Sequence, residues 1–442
     1  MEDSKKKRGG CARALFIMAA AALLSIGAAT LAVCRYAERA SIPEISFDVS
    51  PYLTDDAARL VENKRISAKL SIKRSVREDF MLSATGTLLD WPYSASAHIS
   101  LGFFRAKGDF SAALDDTDIK LVGDFDIRSR KKWRIAAHVP EAQFSSEDAV
   151  LGQILPRLEL TAVSNIVCRG KVSLSADGRS TDEKPIPEWT VRGVISGVDA
   201  ALVANDRPIS ARNLRMNFGV SGIADRHDIN PMFPRIDSVE VAGVLFTNVY
   251  AIIRATETAY LVTEAGAGCA GGDLKMFSLF LDPVRLSAGA TIYVEDVDAG
   301  EALAYASGLR GEATGRLHGK VSFFLKDGKT LQLKDAYLFS NPGEGGTVKI
   351  YDGKPLIDNL AIGGLPEDAC RNLSMALANL NYSVLRFKLG KDRNTGGSTL
   401  SLKITGDATH ERTTVPVNLD VTLRGDIDQL INTGMRISRR KK

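Results

Sequence analysis

Residues 299–351 read AGEALAYASGLRGEATGRLHGKVSFFLKDGKTLQLKDAYLFSNPGEGGTVKIY. A short helical pattern, Ala299–Tyr305, leads into turns at Gly308, Gly311 and Gly315. A strand then places Leu317, Val321, Phe323 and Leu325 on one face and His318, Lys320, Ser322 and Phe324 on the other. That period of two marks a strand buried on one side only. Asp327-Gly328 reverses the chain, since glycine accepts the positive φ of a tight hairpin. Leu331 and Leu333 resume the alternation, and Asn341-Pro342-Gly343 ends the unit in another turn. A hairpin with one apolar and one wet face is incomplete alone, so it belongs to a longer sheet or covers something apolar.

The same pattern fills most of the chain. Ile66, Ala68, Leu70 and Ile72 share a face, as do Ala95, Ala97, Ile99, Leu101 and Phe103. Ile119, Leu121, Phe125 and Ile127 repeat it, followed by Trp133, Ile135, Ala137 and Val139, and by Val172, Leu174 and Ala176, which end at Asp177-Gly178. Leu214, Met216, Phe218 and Val220 alternate cleanly, and Val284, Leu286, Ala288, Ala290, Ile292 and Val294 do so over a longer run. Further strands lie around residues 385–389, 400–404 and 415–423. Residues 41–53 read as a Pro-marked linker, and 179–187 and 226–234 as polar loops. Short helices are expected at 54–61, from Ser145 to Leu155, at 426–435, and at 368–380, where Ala369, Leu373, Ala376, Leu377 and Leu380 recur at three and four. No linker separates compact domains, and there is no doubly wound α/β alternation. The fold class is mainly β.

Lys5-Lys6-Lys7-Arg8 precedes an uncharged run over residues 14–34. At 1.5 Å per residue the run reaches roughly 31 Å, enough to cross a hydrocarbon core. The basic cluster should stay cytoplasmic and send the rest across. A cleaved signal peptide and a lipoprotein are the competing readings. The run is long for a signal, and Arg35 to Arg39 make a poor cleavage site. Val33 weakens the lipobox-like Leu31-Ala32-Val33-Cys34.

With 57 basic and 53 acidic residues the formal charge is +4, and the cations are scattered, so nucleic acid is not a partner. The five cysteines include no CxxC pair, which favours neither zinc nor a redox couple.

The run Leu309-Arg-Gly-Glu-Ala-Thr-Gly-Arg-Leu-His-Gly-Lys-Val, its hairpin, and Asn341-Pro342-Gly343-Glu-Gly-Gly resemble a known signature. Ala376-Leu-Ala-Asn-Leu-Asn-Tyr382, Leu400-Ser-Leu-Lys-Ile-Thr-Gly406 and Val417-Asn-Leu-Asp-Val continue it in order. They are similar to the C-terminal domain of YdbH-like proteins of the AsmA-like superfamily, convincingly over about residues 236–435. The resemblance implies a non-enzymatic protein anchored in a bacterial inner membrane by a single-pass helix, with the bulk of the chain in the periplasm. It implies an elongated, curved antiparallel sheet forming a taco-like groove, with a few short helices. Phospholipid would pass along that groove toward the outer membrane, with a small outer-membrane lipoprotein as partner. The chain is about half the usual length, which puts unaided spanning in doubt.

The corresponding organisation is a cytoplasmic N-terminus (1–13), an anchor (14–34), a first groove segment (41–235), a YdbH-like segment (236–436) and a basic tail (437–442). The groove lining is assigned to Ile119, Leu121, Phe125, Leu214, Met216, Phe218, Leu286, Ile292, Leu317, Val321, Phe323, Leu325, Leu400, Leu402, Val417 and Leu419. Roughly 20–25 strands about 4.8 Å apart would make a groove on the order of 100–120 Å long. Such a role needs the apolar positions to merge into an unbroken strip. The contrasting class is an envelope scaffold with a closed β-sandwich core.

Other motifs carry little. Gly266-Ala-Gly-Cys-Ala-Gly271 fits GxGxxG but precedes a strand, so a turn is preferred to a dinucleotide site. His98, His138, His227, His318 and His410 lack metal-ligand spacing. Asp115-Asp116-Thr-Asp118 and Glu295-Asp296-Val-Asp298 lack the glycine and distal glutamate of a calcium loop. No catalytic residue, cofactor or metal is assigned.

Overall fold

Short turns between alternating strands make each strand pair with the one before it. The computed structural model describes residues 39–48, 65–76, 79–88, 91–103, 105–114, 117, 119–129, 131–148, 163–181, 186–204, 207–223, 226–241, 243–255, 260–282, 287–305, 311–326, 330–351, 379–391, 398–410 and 413–425. Outside these lie the anchor at 14–34, the helices expected at 54–61 and 426–435, the basic tail, and the Asp327-Gly328 turn. The helices expected from Ser145 to Leu155 and at 368–380 fall mostly outside them too. The chain divides into two units, Met1–Met232 and Phe233–Lys442.

The first unit contains β1 (Arg39–Asp48), β2 (Arg65–Val76), β3 (Asp79–Leu88), β4 (Trp91–Gly102), β5 (Arg105–Leu114), β6 (Lys120–Ser129), β7 (Lys132–Ser145), β8 (Val163–Ser180), β9 (Glu188–Ala204), β10 (Arg207–Ile223) and β11 (Arg226–Ile229). Each pairs antiparallel with the next, an uninterrupted meander.

The second unit begins with β12 (Arg235–Val241), β13 (Val244–Ala255), β14 (Tyr260–Cys269), β15 (Gly272–Asp282) and β16 (Ser287–Asp298), again paired in sequence. A short helix comes next, α1 (Ala299–Tyr305), capped by the Asp298 carboxylate, which accepts the Gly300 and Glu301 N–H groups at 2.9 Å. Then come β17 (Gly311–Ala313), β18 (Arg316–Lys326), β19 (Thr330–Phe339), β20 (Gly346–Ile350), β21 (Leu380–Lys391), β22 (Ser398–His410) and β23 (Thr413–Gly425). The meander runs β16–β18–β19–β21–β22–β23, while β17 and β20 add a short side ladder against β21.

Several sequence expectations change. The expected linker at 41–53 is β1 as far as Asp48, and Pro43 sits within its register shift, where a missing N–H is tolerated. Asp177-Gly178 is no turn: β8 runs through it to Ser180. The polar loop at 226–234 contains β11. Gly266 and Gly268 lie inside β14, with the turn at Ala270-Gly271. Leu380, assigned to a helix, opens β21 and is 1% exposed, the most deeply buried large side chain described.

Several register shifts fall where a residue has positive φ, at Asn165, Gly197, Asn213, Asn248, Ser278 and Asp296, while others, such as those at Val139/Ala142 and Tyr382/Val384, do not. Asn, Asp and Gly take this conformation most readily. Each bulge adds one residue and restores the facing of the residues beyond it. In β15 the bulge at Ser278 lets Leu274 and Met276 share a face with Leu279 and Leu281, although they are out of step in a strict alternation.

The signature glycines meet at one corner. Tyr382, 3% exposed, donates its hydroxyl to the Thr314 carbonyl at 2.8 Å. A Cβ on Gly315 would strike that hydroxyl, and one on Gly319 would strike the Tyr337 carbonyl. Both glycines also have φ in the left-handed half of the map, +109° and +144°. The corner therefore ties β18, β20 and β21 together. Burial holds the Tyr382 hydroxyl above its ordinary pKa, so it stays a donor at neutral pH. Tyr382→Phe should cost about 0.5–1.5 kcal/mol in urea unfolding, the net worth of one intramolecular hydrogen bond. Gly319→Ala should cost more, since backbone itself must move.

Candidate functional site

An apolar face, not a constellation of polar groups, is what the strands assemble. Residues directly opposite on neighbouring strands share a face. Following the register across the first unit gives Ala40, Ile72, Leu82, Ala97, Phe110, Gly123, Ala137, Ala176, Val191 and Val220, one residue from each of β1 to β10. No member is polar. At about 4.8 Å per strand this rank runs about 43 Å. Parallel ranks lie beside it, Ile42–Leu70–Ala84–Ala95–Ala112–Leu121 and Phe80–Ile99–Gly108–Phe125–Ile135.

One residue along each strand the chemistry inverts. Lys73, Met81, His98, Asp109, Asp124, Ala136, Asp177, Thr190 and Ser221 occupy the opposite face in the same register.

The second unit repeats the arrangement. Ala251, Ala265, Met276, Ile292, Val321, Ala336, Leu389, Leu400 and Leu423 form one rank. Ala267, Leu274, Val294, Gly319, Leu338, Phe387, Leu402 and Val421 form the next.

Burial distinguishes this face from an ordinary core. Between packed sheets the inward side chains of central strands would be nearly inaccessible. Here Ala95, Ala97, Ile99, Leu121, Phe125, Ile135, Ala137 and Leu174 are only half-buried. The clusters that are buried draw on neighbouring strands of one sheet, such as Ile72, Phe80 and Leu82 with Ala97, Ile99 and Leu101. Ala336 and Leu389 with Val321 and Phe387 form another. Aromatic rings stay low. Phe110 lies across Gly123, where a Cβ would come within 2.5 Å of the ring, and Phe218 lies across Gly193 in the same way.

The assigned lining residues that lie within the described strands fall on these faces. Leu121 and Phe125 belong to the ranks above, Met216 is opposite Ile195, Phe218 opposite Gly193 and Leu214 opposite Val198. Ile119 precedes β6, its carbonyl accepting the Leu114 N–H. Ile292 and Val321 are in the second unit's main rank. Leu317 is opposite Val297, Phe323 opposite Ala290, and Leu325 opposite Ala288. Leu400 and Leu402 continue from Leu389 and Phe387, while Val417 and Leu419 pair with Gly406 and Ile404. Leu286 lies outside the described residues. Sequence reading missed Ala40, Leu82 and Phe110. Gly108, where β5 would want an apolar side chain, and the proline of β1 obscured the alternation there.

The polar face is laced with exposed cross-strand ion pairs. Arg105 grips Asp126 with two bonds of 2.8 and 2.6 Å, and Arg128 adds a third at 3.1 Å. Lys320 meets Asp335 at 2.9 Å. The acids of the Glu295–Asp298 cluster are each engaged: Glu295 with Lys275, Asp296 with Arg316, and Asp298 at the helix cap. His318 accepts the Asp296 N–H on Nδ1 and faces Glu344 through Nε2 at 3.3 Å. No helix of the described residues is long and apolar enough to cross a membrane.

A family model described as YdbH-like, intermembrane phospholipid transport protein YdbH, matches residues 76–440. Comparison with curated proteins and with solved structures finds no match.

The two arginines hold the Asp126 carboxyl down to about 2, the Arg105 hydrogen bonds contributing most and those of Arg128 next. A carboxyl lowered by folding stabilises the fold above its unfolded pKa of about 4 and ceases to as pH falls toward 2. Carboxyl-detected NMR titration should find Asp126 titrating near 2. Arg105→Ala should move it up toward the ordinary range.

Proposed function

Because this chain belongs to the YdbH-like family of intermembrane phospholipid transport proteins, we propose that its apolar ranks are the surface along which acyl chains travel. The observation that carries this is the rank from Ala40 to Val220, uninterrupted by a polar residue, whose members from Gly123 to Val220 are only half-covered by protein while Ile72, Leu82 and Phe110 are buried. Each methylene exposed to water costs about 0.8 kcal/mol, so two C16 tails meet a barrier of roughly 20 kcal/mol or more on leaving a bilayer unescorted. A face with an apolar side chain at every second position removes most of that cost. Headgroups remain in water at the open side, which explains why no catalytic, cofactor or metal constellation is required for the task.

The lining is proposed to include Leu121, Phe125, Met216, Phe218, Ile292, Val321, Phe323, Leu402, Val417 and Leu419, with the other assigned residues. Residues 14–34 anchor the chain in the inner membrane, the basic N-terminus stays cytoplasmic, and β1 starts shortly after the anchor. On this reading the mouth of the lipid path lies near the membrane surface, and the bulk of the chain in the periplasm. Transfer runs toward the outer membrane, where a small lipoprotein is the implied partner. An envelope scaffold with a sealed sandwich core is the contrasting function, and the half-buried faces of the central strands weigh against it.

Photocrosslinking in cells tests the proposal at single-residue resolution. With a benzophenone amino acid at Ala97, Phe125, Val321 or Leu402, phospholipid adducts are expected. At His98, Asp124, Lys320 or Lys403, one position along the same strands, adducts should be at least about fivefold weaker, because adjacent strand residues point to opposite faces. Equal labelling of both sets, or none at either, would contradict the role.

A further inference from the structure

The polar face of the second unit departs from plain polarity. One rank across it alternates lysine and tyrosine: Lys275, Tyr293, Lys320, Tyr337 and Lys388, directly opposite one another on β15, β16, β18, β19 and β21. Each is the strand neighbour of a member of the apolar rank Met276, Ile292, Val321, Ala336 and Leu389, so this rank is turned away from the proposed acyl path. Phe277, Phe280 and Phe324 stand on the same face, Phe277 opposite Thr291 and the other two opposite Gly289. Phe277, Phe280 and Tyr293 are 47%, 52% and 42% exposed. The Phe277 and Tyr293 rings meet edge to face at 5.8 Å, and Tyr337 stacks on Phe339 at 5.2 Å. Aromatic rings grouped in water on the side of a sheet that carries no core mark a contact surface.

Charge on this face is lopsided. In the first unit, polar-face cations such as Arg134, Arg169 and Lys171 are bridged to Asp177, Asp199 and Glu141. In the second unit Lys275 and Lys320 are likewise held, by Glu295 and Asp335. Arg386, Lys388 and Lys403, next along the face, are exposed and have no ion-pair or hydrogen-bond partner among the described residues. Arg386 stands directly opposite Lys403, a like-charge pairing that destabilises a sheet unless an anion sits over it. Asp420, across from Lys403 on β23, is the one acid in register with these three. The sequence beyond β23 adds charge of the same sign in Arg439-Arg440-Lys441-Lys442.

We propose that this face docks on an anionic membrane surface, with Arg386, Lys388 and Lys403 meeting lipid phosphates while Phe277, Phe280 and Tyr293 sit at headgroup depth. An anionic leaflet attracts lysine and arginine held near it, and aromatic rings favour the boundary between membrane and water. A rank that alternates the two residue kinds offers both along one surface. The inference goes beyond the lipid-transfer reading, since it concerns the opposite face of the sheet, and either can fail without the other.

Full-length protein reconstituted in phosphatidylcholine liposomes and offered a second, fluorescent vesicle population gives the test. The second vesicles contain phosphatidylcholine with phosphatidylglycerol, or phosphatidylcholine alone. The parent is expected to capture the anionic vesicles and not the neutral ones, less so as salt rises and screens exposed charge. Arg386→Gln, Lys388→Gln and Lys403→Gln together should weaken capture on the order of 100-fold, about fivefold per cation. The charge-preserving set Arg386→Lys, Lys388→Arg and Lys403→Arg should keep it. Phe277→Ser with Phe280→Ser should weaken it as well, and Lys107→Gln with Lys120→Gln, in the first unit, should leave it unchanged. Circular dichroism checks that each variant keeps its strands. If the three-cation or the phenylalanine variant captures vesicles as the parent does, the docking face is refuted while lipid transfer stands. An equal loss in the Lys107 and Lys120 variant would trace capture to net charge and refute it too. Capture of both vesicle kinds alike, or of neither, overturns the proposal, the second result leaving the face to an acidic protein.

Discussion

Water charges for every methylene it touches, at about 0.8 kcal/mol each, and a lipid moving between membranes meets that cost along its whole path. A protein lowers the barrier only if its apolar cover has no gap, because a single wet step restores the penalty for the segment crossing it. Continuity, not depth, is therefore the demanding property. An antiparallel meander can supply it, since each strand places an apolar side chain every second residue and pairing aligns these across strands. The cost is geometric strictness: a slip of one residue turns the apolar set to the wrong face.

The chain meets that strictness with local devices. Residues tolerant of positive φ, such as Asn213, Asn248 and Asp296, absorb an extra residue without turning the rest of the strand to the wrong face. Small residues and glycines, as at Ala97, Gly123 and Ala137, keep the face shallow, and Phe110 fills the gap over Gly123. The glycine-rich corner around Tyr382 fixes where β18, β20 and β21 meet. Function on the family's pattern thus draws on residues with no chemistry of their own.

Much of this was legible in the sequence. Strands such as β4, where Ala95, Ala97, Ile99 and Leu101 alternate with Ser94, Ser96, His98 and Ser100, declare both their geometry and their facing. The family signature was readable because its glycines answer to particular close contacts, the Tyr382 hydroxyl at Gly315 and the Tyr337 carbonyl at Gly319. Two kinds of feature were not legible. Strands interrupted by proline or glycine, β1 and β5, hide their period because the interrupting residue stands where an apolar one is expected. The bulges conceal more, since Ser278 gives no sign in sequence that Leu279 rejoins the face of Met276.

The most direct measurement is a cryo-electron microscopy map of the full-length protein extracted from its own membrane. Elongated density is expected along the face carrying Ala97, Phe110 and Ala137, within about 4 Å of those side chains, as van der Waals contact requires. A map in which that face is instead closed against a second layer of protein, with no space for a tail, would contradict it.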